Sequence, residues 1–344
     1  MQGNKIMPPQ VSIIIPCYNE QGTIRNLLYA LHNQTFPRTK MEVIISDGQS
    51  VDGTLEEIET FKKEHTDLAV RVIQNPARTI PAGVNAAIRE ARGETILRMD
   101  AHSCPYPDYV ERCLSALESG LGDNVGGVWE IQPGKDTWVA RSIALAAAHP
   151  LGVGDAGYRI GAKASEVDTV PYGAFRRSLI DKIGMLDESL LANEDYEFNA
   201  RIRKAGGRIW LDPEIVTIYY ARSTLRGLVK QYWRYGFWKW RMLQRYPRTL
   251  RWRQGVPPLF VLSLIGLGLF SWWRLATLLL AMELIVYFGI LLLVSVYSTV
   301  KYKQLFLIPG MLLSIPAMHI SWGGGFLWSM LNSMFGSIKK VWQN

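Results

Sequence analysis

Five residues at the end of an apolar run, Arg98-Met99-Asp100-Ala101-His102, carry the most specific chemistry in the chain. A carboxylate and an imidazole two residues apart converge on one divalent cation when they sit where a strand opens into a loop. Two further acidic sets accompany them. Asp47 and Asp52 lie in Ser46-Asp47-Gly48-Gln49-Ser50-Val51-Asp52-Gly53-Thr54, and Glu194 and Asp195 adjoin each other in Asn193-Glu194-Asp195. Taken singly, each has a plain structural explanation: a solvated loop for Asp100 and His102, turn or cap chemistry for Asp47 and Asp52, and helix capping for Glu194 and Asp195. Their order along the chain is what points to a site.

Residues 10–214 supply the frame, as alternating strand and helix patterns. Val11-Ser12-Ile13-Ile14-Ile15 is a short β-branched run, followed by Ile24, Leu27, Leu28 and Leu31 at helical spacing. Glu42-Val43-Ile44-Ile45 reads as a second strand, and Thr54-x-x-Glu57 as the capping box of a helix carrying Leu55, Ile58 and Phe61. Ala69 to Ile73 predicts a third strand, Pro81 to Ala91 a third helix with proline in its first turn, and Thr95 to Met99 a fourth strand. This repetition implies an α/β fold with a mostly parallel sheet and helices on both faces. Ligands of such sheets bind beyond the carboxyl ends of the strands. Pro16-Cys17-Tyr18-Asn19-Glu20, Ser46 to Thr54 and Asp100-Ala101-His102 all fall there. Asn193-Glu194-Asp195 opens a later helix whose Phe198, Ile202 and Ala205 face a core, and Gly206-Gly207 ends it. No GxGxxG follows the first strand and no GxxxxGK[ST] occurs, which speaks against a dinucleotide or a P-loop triphosphate. A nucleotide held by carboxylates and aromatic faces, with a metal neutralising its phosphates, stays open.

Charge divides the chain. After Glu214 there are fifteen Lys and Arg against the single acid Glu283, a net +14 that exceeds the +8 of the whole 344-residue chain and leaves residues 1–214 net acidic. The basic, aromatic-rich segment runs straight into apolar stretches, which favours an anionic membrane surface over nucleic acid. Those stretches are Val256 to Trp273, Leu275 to Tyr297 and Leu305 to about Phe335. The second is long enough to cross a hydrocarbon core, which takes about 20 residues, and the first approaches that length. The third, with Pro309, Pro316, His319 and Gly323-Gly324-Gly325, reads as a broken or re-entrant element or a helical hairpin. The positive-inside rule places Arg222 to Arg253, Lys301, Lys303, Lys339 and Lys340 on the cytoplasmic side and the Trp272-Trp273-Arg274 turn outside. No basic, apolar, cleavable segment precedes Val11, so the N-terminal part is expected to stay in the cytoplasm. Cys17, Cys104 and Cys113 are too few and too irregular for a disulfide frame or a structural zinc site.

Val11 to Glu20, Ser46 to Thr54, Asp100 to His102 and Asn193-Glu194-Asp195, in that order, resemble the motifs of family 2 glycosyltransferases with the GT-A fold, over about residues 10–220. Asp-Ala-His in place of the commoner Asp-x-Asp, with Tyr106-Pro107 and Asp108-Tyr109-Val110, is similar to exopolysaccharide enzymes of the succinoglycan type, as is His319 with Gly323 to Leu327. The resemblance implies that Pro16, Tyr18, Glu20, Asp47, Arg78 and Asp100 bind a nucleotide sugar, with Asp47 accepting from a uracil N3–H. It implies that Asp100 and His102 hold Mn²⁺ or Mg²⁺ against the diphosphate; the imidazole shifts the preference toward manganese. Asp195 would be the base that takes the acceptor hydroxyl's proton as its oxygen attacks the anomeric carbon, with Glu194 the weaker candidate for that role. Tyr172, Gly173 and Ala174 would face the acceptor. Gln231-Tyr232-Trp233-Arg234-Tyr235 resembles the Gln-x-x-Arg-Trp element of membrane polysaccharide synthases, which implies Gln231 and Arg234 near the diphosphate and Tyr235 near the acceptor ring. The same segment equally makes an amphipathic helix in the lipid interface.

The expected organisation is a cytoplasmic GT-A domain over residues 1–222, interfacial helices over 223–254 and a membrane region over 255–344, in a multi-pass inner-membrane protein. The expected activity is inverting transfer of a sugar, glucose by resemblance, from a UDP-sugar to a polyprenyl-diphosphate-linked saccharide, with membrane lipid but no nucleic acid as partner. A processive synthase, a polyprenyl-monophosphate transferase and a nucleotide-sugar sensor are the rival readings.

Overall fold

The computed structural model describes residues 8–334, so Phe335, Lys339 and Lys340 of the membrane reading lie outside the described residues. The strands are β1 (Val11–Cys17), β2 (Met41–Asp47), β3 (Ala69–Gln74), β4 (Thr95–Arg98), β5 (Cys104–Pro105), β6 (Asn124–Pro133), β7 (Ser165–Glu166), β8 (Ala174–Arg176) and β9 (Ile209–Ala221). The helices are α1 (Ile24–His32), α2 (Thr54–Glu64), α3 (Ile80–Glu90), α4 (Tyr109–Glu118), α5 (Trp138–Ala147), α6 (Pro150–Val153), α7 (Gly157–Ile160), α8 (Ser178–Ile183), α9 (Glu194–Lys204), α10 (Leu225–Arg245), α11 (Trp252–Leu269), α12 (Arg274–Tyr302) and α13 (Leu307–Met334). They form two compact units. The first holds the chain up to Glu130 together with Gly157–Tyr219; the second holds Ile131–Ala156 and the chain from Tyr220 onward. Residues 131–156 thus leave the α/β unit in mid-sequence and return to it.

In the first unit the sheet runs β3-β2-β1-β4-β8-β6-β9-β5, with β7 on β9. β3, β2, β1 and β4 are parallel, as the βαβ pattern predicts, whereas β8 is antiparallel to both β4 and β6, and β5 and β7 are antiparallel to β9. The sheet is therefore mixed. Parallel neighbours need helical crossovers, and past β4 the regular strand–helix–strand alternation breaks: β4 runs to β5, and β7 to β8, with no helix between, while three helices separate β6 from β7 and two separate β8 from β9. Both faces of the parallel part are covered. Val11, Ile13 and Ile15 pack with Ile24, Leu27 and Leu28 of α1, while Ile14 packs on the other face with Val84, Ala87 and Ile88 of α3. This is why β1 reads as a continuous apolar run rather than an alternation. Each such buried Ile, Leu or Val side chain contributes roughly 1.5–3 kcal/mol relative to exposure.

A carboxyl group of β2, that of Glu42, lies buried in this sheet. Glu42 pairs in register with Ser12, is 3% exposed, and accepts from the Ser12 hydroxyl at 2.6 Å, the Arg92 N–H at 2.7 Å and the Arg71 guanidinium at 3.0 Å. Burial by itself raises this carboxyl; the three donors outweigh it and hold the group below the ordinary carboxyl range. A carboxyl depressed in the folded state contributes stability that is present above its unfolded pKa, about 4.3, and lost as pH falls through the folded value. Glu42→Gln is therefore expected to lower stability by about 1.5–3 kcal/mol at pH 7, with the gap to the unaltered protein closing in acid. Thermal melts at pH 7 and at about pH 2 check this, and a gap that does not narrow at the lower pH would refute it.

In the second unit, α12 is the described helix that is long and apolar enough to cross a membrane. The segment expected to be broken is instead one helix, α13, continuous through Pro316 and Gly323-Gly324-Gly325. The physical reason is packing. A Cβ on Gly325 would lie 2.3 Å from the Trp233 carbonyl oxygen, one on Gly323 2.4 Å from the Pro257 oxygen, and one on Gly236 of α10 1.9 Å from the Trp322 oxygen. The glycines are a surface on which backbones touch, as in membrane helix pairs, and not a breakpoint. α10 likewise buries Leu228, Tyr232, Phe237 and Leu243 within this unit, which confines any lipid-facing role to its remaining face.

Alanine intrinsically favours a helix over glycine by about 1 kcal/mol, so the sign of a substitution reports contact. Gly266→Ala, with nothing within 4 Å of the new methyl, is expected to leave the melting temperature unchanged or slightly raised. Gly236→Ala is expected to lower it in the same detergent by the equivalent of about 1–3 kcal/mol, and equal effects at the two positions would count against the close α10–α13 crossing.

Candidate active site

The loops after β1 and β2 are stitched together. Register places Cys17 beside Asp47 and Pro16 beside Ser46, and the Gly48 N–H donates to the Cys17 carbonyl at 2.7 Å. The Asn19 N–H donates to the Ser50 hydroxyl at 2.9 Å, the Val51 N–H to Asn19 Oδ1 at 2.9 Å, and the Glu20 N–H to Thr54 Oγ1 at 2.7 Å. Thr54 is the first residue of α2 rather than its cap, so the expected capping box does not form. Asp52 receives the Thr54 N–H at 3.0 Å and the Gln21 N–H at 3.2 Å instead. Asp47 is fully buried and accepts the Ser50 hydroxyl at 2.6 Å and the Ser50 N–H at 3.1 Å, so here it closes a turn instead of presenting an open acceptor. Tyr18 lies at the surface, 45% exposed. Arg78, after β3, donates from Nε and Nη2 to Gln49 Oε1 at 3.0 and 2.7 Å, which ties the third loop to the second.

A second group of residues forms around Arg98 at the end of β4. Its Nη2 donates to Glu194 Oε1 at 2.9 Å and contacts Asp100 Oδ1 at 3.3 Å, with only 7% of the residue exposed. Burial disfavours the guanidinium charge, but Asp100, Glu194 and Asp195 outweigh it and keep Arg98 firmly protonated. The Glu194 carboxyl shows the reverse balance: burial pushes it up, Arg98 pulls it down, and Asp195 adds to the rise. A buried cation requires partners, and that is the one signal by which the sequence could have marked Arg98, which received no role beyond its place in the motif.

Asp100 and His102 share one turn, closed by the Ser103 N–H and hydroxyl on the Asp100 carbonyl at 3.0 and 2.6 Å. Glu20 Oε1 lies 3.1 Å from His102 Nδ1. With that carboxylate accepting, the proton sits on Nδ1 and the lone pair on Nε2, the arrangement that orients a metal-ligating histidine. The donor set therefore fits a divalent cation: Asp100 and His102 as ligands and Glu20 behind the imidazole.

Asp195 stands in the first turn of α9, its Oδ1 accepting the Tyr196 N–H at 2.7 Å. With Arg98, Asn124 and Tyr172 it lines one pocket. Among the described residues the buried Tyr172 hydroxyl has no hydrogen-bond partner, and burial keeps its phenol protonated. Gly173, at φ +81, allows this approach: a Cβ there would lie 2.5 Å from Asn124 Oδ1. Ala174 begins β8. α9 buries Phe198 and Ile202 as expected, but Ala205 is its exposed C-cap, and Gly206 at φ +82 ends the helix one turn after the core contact. Gln231 and Tyr235 lie one turn apart on α10, joined by a 3.0 Å hydrogen bond from Nε2 to the phenol oxygen, and Arg234 is on the same helix; all three belong to the second unit.

Backbone strain marks the same loops. Of the six described non-glycine residues with positive φ, five are Asn19, Gln49, Arg78, Tyr172 and Asn193, and the sixth, Lys303, caps α12. Such conformations cost of order 1–3 kcal/mol each for most residues and persist where the surroundings enforce them, which is typical of functional sites.

Comparison with known proteins places the chain further. The family model described as glycosyl transferase family 2 matches residues 12–184. The succinoglycan biosynthesis protein ExoA of Rhizobium meliloti is 33% identical over 239 residues, covering 69% of this chain and 71% of that protein. A dolichyl N-acetyl-α-D-glucosaminyl phosphate 3-β-D-2,3-diacetamido-2,3-dideoxy-β-D-glucuronosyltransferase of Methanococcus voltae is 27% identical over 270 residues, covering 75% and 82%. Among solved structures, the mannosyltransferase PcManGT from Pyrobaculum calidifontis, in complex with GDP-Man and Mn²⁺, matches with a TM-score of 0.61 at 19% identity, covering 93% of this chain and 88% of that one. At that identity the likeness speaks for the shared GT-A fold.

Proposed function

The chain belongs to glycosyl transferase family 2, and from that premise we propose that it transfers glucose from UDP-glucose, with inversion, to a saccharide carried on polyprenyl diphosphate at the cytoplasmic face of a membrane. The observation that carries this reading is the Arg98 bridge, which ties the Asp100 loop to the start of α9, so that donor diphosphate and acceptor base are held by one buried cation. Asp195 takes the proton of the attacking hydroxyl. Glu194, buried and paired with Arg98, positions that turn. Tyr18 stacks on the base, Arg78 reaches the phosphates, and Asp47 accepts the uracil N3–H once the Ser46–Thr54 loop shifts to uncover it. Asp100 and His102 hold Mn²⁺ or Mg²⁺, whose charge, when bound, offsets the negative charge developing on the departing diphosphate. Tyr172 donates its hydroxyl proton toward the sugar. Gln231, Arg234 and Tyr235 contact the acceptor.

The Methanococcus voltae relative is named for transfer to a dolichyl-phosphate-linked sugar and the Rhizobium meliloti relative for succinoglycan biosynthesis, which supports a lipid-linked saccharide acceptor in glycan or exopolysaccharide assembly. α12 and the basic segment before it support association with a membrane, with the α/β unit on its cytoplasmic side. The test is UDP release from a panel of UDP-sugars in lipid nanodiscs, with and without polyprenyl-linked acceptor extract and Mn²⁺ or Mg²⁺. Release that requires the extract, the metal and UDP-glucose supports the reading, and release from none of the UDP-sugars would overturn it.

A further inference from the structure

His32, His65 and Asp67 meet at the far end of the parallel strands from the loops described above. His32 ends α1, His65 caps the C-terminus of α2, and Asp67 lies in the turn entering β3, so all three sit at the amino-terminal edge of the sheet. His32 Nε2 is 3.0 Å from Asp67 Oδ1, the two imidazole centroids are 4.3 Å apart, and one ligand atom from each residue lies within 4.8 Å of the other two. The floor is aromatic: Phe61 and Tyr29 pack on the His65 ring at 4.6 and 5.3 Å. The cation in contact is Arg38, whose Nε donates to Asp67 Oδ2 at 2.5 Å. Among the described residues the His65 ring makes no hydrogen bond, which leaves it able to turn toward the others.

We propose that this triad is a second, non-catalytic metal site that binds zinc-class divalent ions through two imidazole nitrogens and one carboxylate oxygen, with water in the fourth position. Two nitrogens and one oxygen suit Zn²⁺, and metal–ligand distances of roughly 2.0–2.1 Å imply ligand–ligand separations of about 3.3 Å in a tetrahedron. The His32–Asp67 pair is already that close, and rotation of His65 closes the rest. The ion takes the place of the His32–Asp67 hydrogen bond and needs both imidazoles neutral as ligands, so binding weakens in acid. Arg38 opposes it by occupying the other Asp67 oxygen. A bound ion clamps the ends of α1 and α2 to the entry of β3.

The test uses the full-length, untagged chain in nanodiscs with Asp100→Asn and His102→Gln, which silence the other candidate metal residues. Co²⁺ is titrated by visible absorption, and Zn²⁺ is then added in competition. The expected result is one equivalent of cobalt with tetrahedral bands, displaced by zinc. His65→Gln should weaken binding about tenfold or more, since even outer-shell changes have effects of that size. Arg38→Gln should tighten it several-fold, a gain that misfolding cannot produce. Absence of tetrahedral bands, or an affinity that neither substitution changes, would overturn the site.

Discussion

Asp195→Asn is expected to lower sugar transfer by roughly 10²- to 10⁴-fold, the range a positioned general base contributes, while donor binding stays within about twofold. The asparagine keeps the shape and still accepts the Tyr196 N–H, but it cannot take a proton from an acceptor hydroxyl. Glu194 cannot substitute, because it is buried and its Oε1 is engaged by Arg98. The measurement is UDP release at saturating donor and acceptor, beside donor affinity by calorimetry. Transfer that persists at more than a tenth of the original rate would remove Asp195 from the base role and favour an acceptor that is already anionic, such as a lipid monophosphate.

Arg98→Gln is expected to be the most destabilising single change in the α/β unit. Removing one partner of a buried ion pair typically costs 3–5 kcal/mol because the other charge is left without compensation. Here the abandoned groups are Glu194, 5% exposed, and Asp100. In a chain of this size that corresponds to a fall of roughly 10 °C in melting temperature. Without the guanidinium, burial and Asp195 are left to raise the Glu194 carboxyl, so the Arg98→Gln protein should lose less stability in mild acid, where that group is protonated, than at pH 8. Arg98→Lys should recover part of the loss, since it restores the charge but not the planar guanidinium whose Nη2 meets both carboxylates. Melts at pH 5.5 and pH 8 check both statements, and a shift of less than 2 °C for the glutamine variant would show that the bridge carries little energy.

What the sequence disclosed and what it hid follow from the range of the interactions. The parallel core was legible because Ile13, Ile14 and Ile15, and then Ile24, Leu27, Leu28 and Leu31, report burial through local periodicity alone. Asp100, His102 and Asp195 were legible as candidates because strand ends in such sheets collect ligands. The pairing of Arg98 with Glu194 spans 96 residues, and nothing in either neighbourhood names the other. Asp47 shows the opposite limit: its type and place suit nucleotide recognition, yet a local serine three residues on takes both of its oxygens. Gly323-Gly324-Gly325 misleads for a third reason. Glycine weakens a helix in water, but where two backbones touch it is the residue that lets the helix continue. In the antiparallel part of the sheet the two- and three-residue strands β5, β7 and β8 stayed hidden because they have too few positions to display a period.

The excursion of residues 131–156 sets an order on biosynthesis. α5 and α6 emerge from the ribosome long before their partners in the same unit: Ser142 faces Gly310, and the Ala146–Gly152 turn faces Met318, more than 160 residues later. A nascent chain stopped near residue 220 has every strand of the α/β unit but carries an apolar helical loop whose cover has not been translated. A shortened protein made to isolate the α/β unit would therefore inherit a sticky surface from its own middle, and exchanging residues 131–156 for a short polar bridge addresses that fault where trimming the C-terminus alone creates it.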